Sequence, residues 1–141
     1  MELKRVVVTG LGALTPVGNT APETWANLVA GVSGAGPITH FDSSLFKTHF
    51  ACEVKNFKAT DFIDRKEARK MDLYTQYAIV AAKEAVTDSG LDVEKEDLTK
   101  IGVIFGVGIG GMHTFEEETG NYALHKDEGP KYNPFFIPKM I

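Results

Sequence analysis

The sequence predicts an α/β fold built in layers, and three observations carry that prediction. Two short β-branched or apolar runs, 5–9 and 101–105, lie far apart in the chain. The strongest helical pattern, 64–89, lies between them. A glycine-rich loop follows each run. Strand–helix–helix–strand order with long connections favours helices packed on a sheet over a sandwich or a bundle.

Taken in order, residues 5–9 read as a buried strand, broken into loop by Gly10, Gly12, Pro16 and Gly18. Thr20-Ala21-Pro22-Glu23 is a capping-box pattern with proline in the first turn, so a helix starts there. Trp25, Leu28 and Val29 give that helix its inner face, and Gly31 ends it. Phe50-Ala51-Cys52-Glu53-Val54 alternates loosely, as a half-exposed strand does. Asp64-Arg65-Lys66-Glu67 is a second cap, opening one helix that runs to about Ser89. Met71, Tyr74, Ala78, Ala81, Ala82 and Ala85 form one face of it, mostly alanine, which permits close approach by a neighbour. Gly90-Leu91 stops it, with glycine in the left-handed position and an apolar residue behind. Residues 101–105 are apolar on both faces and read as a central strand. A short helix follows over 112–122 with Glu116, Glu117 and Glu118 outward, and 123–134 reads as loop. The segment 134–141 is apolar with no closing polar tail, so the chain looks cut there. A docked strand or helix is the simpler reading of that segment.

At 141 residues the chain can hold one domain with a core. Its 43% hydrophobic and 24% charged residues are ordinary for a soluble protein. Nothing approaches the roughly 18–20 apolar residues of a membrane span. The N-terminal apolar run is too short for a signal peptide. A net charge of −4 argues against bulk nucleic-acid binding, so any electrostatic docking must come from a local patch. One cysteine makes no internal disulfide, which fits a reducing cytoplasm.

Gly106-x-Gly108-x-x-Gly111 meets the dinucleotide fingerprint formally, with Asp127 or Glu128 where a ribose-binding acid would sit. No strand between Met112 and Asp127 carries that acid, so the unit does not close. Thr9-Gly10-Leu11-Gly12 fails similarly, because Pro16 and Val17 interrupt the phosphate-binding helix. The plainer reading is that these glycines allow tight turns and close backbone packing. Cys52 lies in an alternating stretch beside Glu53, without the cation or helix N-terminus that activates a thiol, and reads as a buried structural cysteine. His40, His49, His113 and His125 show no metal spacing. Arg65, Lys66, Arg69 and Lys70 stand apart. They form i,i+4 pairs of like charge at a helix start, against both mutual repulsion and the helix dipole. A solvated charged face is the plain reading, and docking of an acidic or phosphorylated partner is the functional one.

Several segments together resemble one family. Val6-Val7-Val8-Thr9-Gly10-Leu11-Gly12 and Thr15-Pro16-Val17-Gly18-Asn19 look like the opening of the β-ketoacyl-acyl-carrier-protein synthases. So do Trp25, Phe41-Asp42, Arg65-Lys66 through Arg69-Lys70-Met71-Asp72, the loop Gly106 to Gly111, and Pro134-Phe135-Phe136-Ile137-Pro138. The subtype most similar is synthase II, which elongates medium to long acyl chains in bacterial-type fatty acid synthesis. The resemblance implies a thiolase-like fold in α-β-α-β-α layers, of which residues 1–141 form an incomplete first half, truncated before the nucleophile. It implies a cytoplasmic homodimer that joins acyl and malonyl groups by decarboxylative Claisen condensation. The acyl carrier protein is the partner, and neither metal nor organic cofactor is implied beyond the carrier's phosphopantetheine. No catalytic residue carries over onto this chain, so the piece alone is expected to be inactive. Ile109 and Phe136 match residues of the acyl pocket, Phe136 closing its floor across the dimer interface. Arg65, Lys66, Arg69 and Lys70 match the carrier-docking patch, with Lys131 a further member. Two other classes stay open: a carrier-docking module without chemistry, and a dinucleotide-dependent oxidoreductase.

Overall fold

The computed structural model describes residues 4–141. They fall into two compact units: one holds the chain up to Phe57 together with Val80–Glu96, the other Lys58–Ile79 with Asp97–Ile141.

In the first unit, helix α1 spans Ala21–Val29. Thr20 caps it, its hydroxyl accepting from the Glu23 amide, and the Glu23 carboxylate accepts from the Asn19 amide at 2.7 Å. Strands β1 (Gly36–Pro37) and β2 (Phe50–Ala51) pair antiparallel, with Gly36 opposite Ala51. Beyond them Glu53 accepts hydrogen bonds from the amide and hydroxyl of Thr39, which closes the hairpin. Helix α3 (Leu73–Ser89) gives its Val80–Ser89 part to this unit. The loop at Gly10 and Gly12 lies directly on that part. A Cβ on Gly10 would overlap the Ala85 carbonyl, and one on Gly12 the Ala81 carbonyl. The alanine face therefore does permit close approach, and the approaching partner is glycine backbone. Polar links fix the arrangement. Glu84 accepts from the amides of Ala13 and Ala21, both at 2.8 Å, and Asp88 accepts from the Leu11 amide at 2.8 Å.

In the second unit, α2 (Arg65–Ala68) is capped by Asp64, which accepts from the amides of Lys66 and Glu67. The first turns of α3 follow, then α4 (Met112–Leu124) and α5 (Phe136–Met140). Phe136 stacks on Tyr132 at 5.2 Å and on Phe115 at 6.4 Å between ring centroids, which holds α5 against α4.

Three expectations are corrected. The single helix over 64–89 is two, α2 and α3, because the chain tightens into i→i−3 turns at Lys70 and Met71 and Asp72 restarts the helical ladder. The runs 5–9 and 101–105 are not strands: among the described residues neither pairs with another segment. Their apolar side chains stand in solvent, Val6 88% and Ile104 96% exposed. A strand needs a neighbour to take up its backbone bonds, and apolar composition does not supply one. Finally, Trp25, Leu28 and Val29 are exposed, and Thr24 is the buried residue of α1. Among described apolar residues only Ile63, Ala68 and Val80 are buried.

Candidate functional site

The second unit contains a cleft of about 690 Å³, within the size range of ligand sites. Its cationic wall is Lys66, Arg69 and Lys70 from α2 and the turn after it, with Lys131 from the loop before α5. Glu118 is the one carboxylate on the lining, and the Asn133 amide already donates to it at 2.9 Å. Tyr132, Pro134 and Phe135 supply apolar surface, and the Lys70 ammonium lies 6.0 Å from the centre of the Phe135 ring. Four cations from two separate segments thus face one concave surface. Arg65, although adjacent in sequence, is not on that lining.

The cations are held loosely. Lys70 pairs with Glu67 at 2.7 Å and Lys131 with Glu128 at 2.6 Å, both on the surface. Such exposed pairs contribute at most about 1 kcal/mol, so an incoming anion can replace either carboxylate at little cost. Among the described residues Lys66 and Arg69 make no ion pair. The cleft is suited to an anionic or acidic surface of some extent rather than to covalent chemistry.

Ile109 precedes the turn Gly110–Gly111 and is 76% exposed. Gly110 has φ of +76°, a conformation that glycine alone adopts without strain, and the Gly111 amide donates to the Met140 carbonyl at 3.2 Å. The glycines of this loop therefore shape a junction between the start of α4 and the end of α5. Gly106 and Gly108 face open space. With 101–105 unpaired, the strand that a dinucleotide loop requires is not built among the described residues. Phe136 is half-buried among aromatic rings, and it is not on the lining of the cationic cleft.

Cys52 is exposed, which corrects its expected burial: it follows the two-residue strand β2, where nothing covers it. Among the described residues no group of three or more His, Cys, Asp or Glu side chains is placed to hold a metal ion. His113 approaches Glu117 at 3.3 Å one helical turn away, on the surface. No described helix is long and apolar enough to cross a membrane.

One pair was not singled out from sequence for any role. Asp72, 9% exposed, accepts from the Thr114 hydroxyl at 2.5 Å and from the Thr114 amide at 3.3 Å. The available signal was an aspartate just ahead of the apolar start of α3, the usual mark of a cap. Its partner lies 42 positions away, which local pattern does not show.

Comparison with known proteins places this geometry in context. Residues 3–141 match the family described as beta-ketoacyl synthase, N-terminal domain. The chain is 51% identical over 142 aligned positions to a 3-oxoacyl-[acyl-carrier-protein] synthase 2 of Staphylococcus aureus, covering 98% of this chain and 33% of that protein. It is 48% identical to the protein of the same name from Vibrio cholerae, covering 100% and 34%. Among solved structures, the ishigamide ketosynthase/chain length factor matches with a TM-score of 0.78 at 30% identity, over 96% of this chain and 33% of that one. A type II PKS acyl-carrier protein in complex with its ketosynthase bound to the hexaketide matches with 0.74 at 25% identity, over 99% and 35%. The chain spans about a third of the length of the relatives it matches.

Proposed function

The chain belongs to the beta-ketoacyl synthase family, and from that membership we propose that it is the N-terminal portion of a 3-oxoacyl-acyl-carrier-protein synthase of type II. The whole enzyme elongates fatty acyl chains. An acyl group passes from its carrier protein to an enzyme thiol, releasing that carrier with its phosphopantetheine thiol free. Malonyl carrier protein loses carbon dioxide, and the resulting carbanion attacks the acyl thioester on the enzyme. The products are a 3-oxoacyl carrier protein and the freed thiol. No residue of this chain is assigned the thiol or its acid–base partners, and the 141 residues alone are expected not to condense. No metal or organic cofactor enters the proposal beyond the carrier's phosphopantetheine.

The role proposed for this portion is recognition. Arg65, Lys66, Arg69, Lys70 and Lys131 dock the acidic carrier protein, and the observation that supports this is the convergence of four of these cations on one cleft. The ketosynthase solved together with its acyl-carrier protein adds support by likeness. Ile109 and Phe136 line the acyl pocket, with Phe136 reaching it across the interface of a cytoplasmic homodimer. Each methylene buried there contributes roughly 0.8 kcal/mol, so side-chain bulk at Ile109 sets the accepted length.

The test is a titration of full-length protein with holo-carrier at low salt. Replacing Arg69 and Lys70 by glutamate should weaken binding at least about tenfold, with the difference shrinking as salt rises. Unchanged affinity at low salt would remove the patch from docking. A condensation assay on the same protein separates the enzyme from a docking module without chemistry.

A further inference from the structure

Helix α4 begins without a cap of its own. Its N-cap residue is Gly111, which has no side chain to accept from the first-turn amides. Any side chain there would strike the Lys139 carbonyl and crowd the Asp72 carboxylate, a Cβ lying 3.0 Å from Asp72 Oδ2. Asp72 fills the vacant role from another element. Its carboxylate accepts from the amide of Thr114, the third residue of α4, and from the Thr114 hydroxyl. A negative charge at a helix N-terminus is favourable in itself.

Asp72 is also fixed at its own position. Its carbonyl accepts from the Gln76 amide, and the Gln76 side chain donates to the carbonyls of Ala68 and Met71. Those bonds tie the turn carrying Arg69 and Lys70 to the first turn of α3. On the far side, Thr114 lies in the turn that Ile109, Gly110 and Gly111 lead into. One buried carboxylate therefore joins the cationic turn to the loop bearing Ile109.

We propose that Asp72, through Thr114, is a positioning residue that sets the Ile109 loop relative to the cationic turn, so that carrier recognition and acyl-length selection share one support. The functional half of this rests on the carrier-docking and acyl-pocket reading above. The link itself does not.

The experiment uses full-length protein with Thr114→Val, which removes the hydroxyl at nearly constant shape, and Thr114→Ser, which keeps it. Amide hydrogen exchange is read over 65–70 and 109–114. Thr114→Val should speed exchange about tenfold in both segments, and Thr114→Ser should restore the native rates. Acceleration confined to 109–114 overturns the link. Elongation is then read with acyl groups of graded length. Thr114→Val should raise the carrier KM and broaden the product-length profile, with Thr114→Ser restoring both. A uniform fall in kcat with an unchanged profile overturns the positioning role and leaves a merely structural bond. Wild-type protein that binds no carrier and condenses nothing would sink the functional reading, while the exchange result still decides the link.

Discussion

Gly12 shows how a residue without a side chain can be the most constrained position in its neighbourhood. The Ala81 carbonyl occupies the place a Cβ would take, and the Ala85 amide lies 2.7 Å from it. Backbone on α3 cannot swing aside as a side chain could. Gly12→Ala should therefore destabilise by about 1–3 kcal/mol, the usual cost of overpacking, read as a lower midpoint in urea. Gly120, on α4, meets nothing within 4 Å, and Gly120→Ala there should be neutral or slightly stabilising. Glu53 makes the complementary case for a charge. The Thr39 hydroxyl, then the Thr39 amide, then the His40 amide hold its carboxyl below the ordinary value of 4.5. A carboxyl lowered in the folded state stabilises above the unfolded value, and that contribution is lost as pH falls through the lower folded one. Protection of the β1–β2 amides should thus hold at neutral pH and fade below about 4.5. In Thr39→Val the fading should begin from a weaker plateau. A hairpin equally protected at every acid pH would show that Glu53 does not close it.

At the scale of elements, what was legible in the sequence was local. The Thr20 and Asp64 caps, the stop at Gly90 with its φ of +67°, and a helix from Met112 all follow from residues within a turn of each other. The cationic cluster was legible for the same reason, since its i,i+4 spacing is a local fact. Lys131 entered by family resemblance rather than by spacing, and its place opposite α2 is a matter of tertiary packing. The split between α2 and α3 was missed because its cause is not local. Asp72 has an acceptor to offer Thr114, and Gln76 offers donors to the carbonyls of Ala68 and Met71 at the tightened turn. Competition of this kind is how polar side chains interrupt a helix that apolar period alone would continue. Gln76→Leu, similar in bulk but unable to donate, should leave α3 intact. It should loosen only the turn 68–72, seen as faster exchange there with little change in helical circular dichroism. A loss of helix signal would mean that Gln76 supports α3 itself.

At the scale of the whole molecule, the apolar pattern announces surfaces that need cover without naming the cover. Spacing put Trp25, Leu28 and Val29 on one side of α1, and short β-branched or apolar runs made 5–9 and 101–105 strands. Both readings assume a partner for those faces. Among the described residues that partner is absent, and Trp25 remains 68% exposed while Val103, Ile104 and Phe105 all stand out from the chain. Exposed apolar runs of this kind, each within its own unit, are unusual on a monomeric protein and mark interaction surfaces or aggregation sites. A run of unpaired apolar strand-formers adds backbone donors and acceptors to its own exposed face. The 141 residues prepared alone should therefore bind a hydrophobic reporter dye strongly and sediment with a concentration-dependent mass. Replacing Val7 and Ile104 by aspartate should reduce both effects, because each substitution puts a charge in the middle of an exposed run. On the proposal that this chain is the N-terminal portion of a longer synthase, that whole protein should bind the dye weakly. If the isolated chain proves a dye-silent monomer, the exposed runs must find cover within the chain itself, and the account of their missing partner fails.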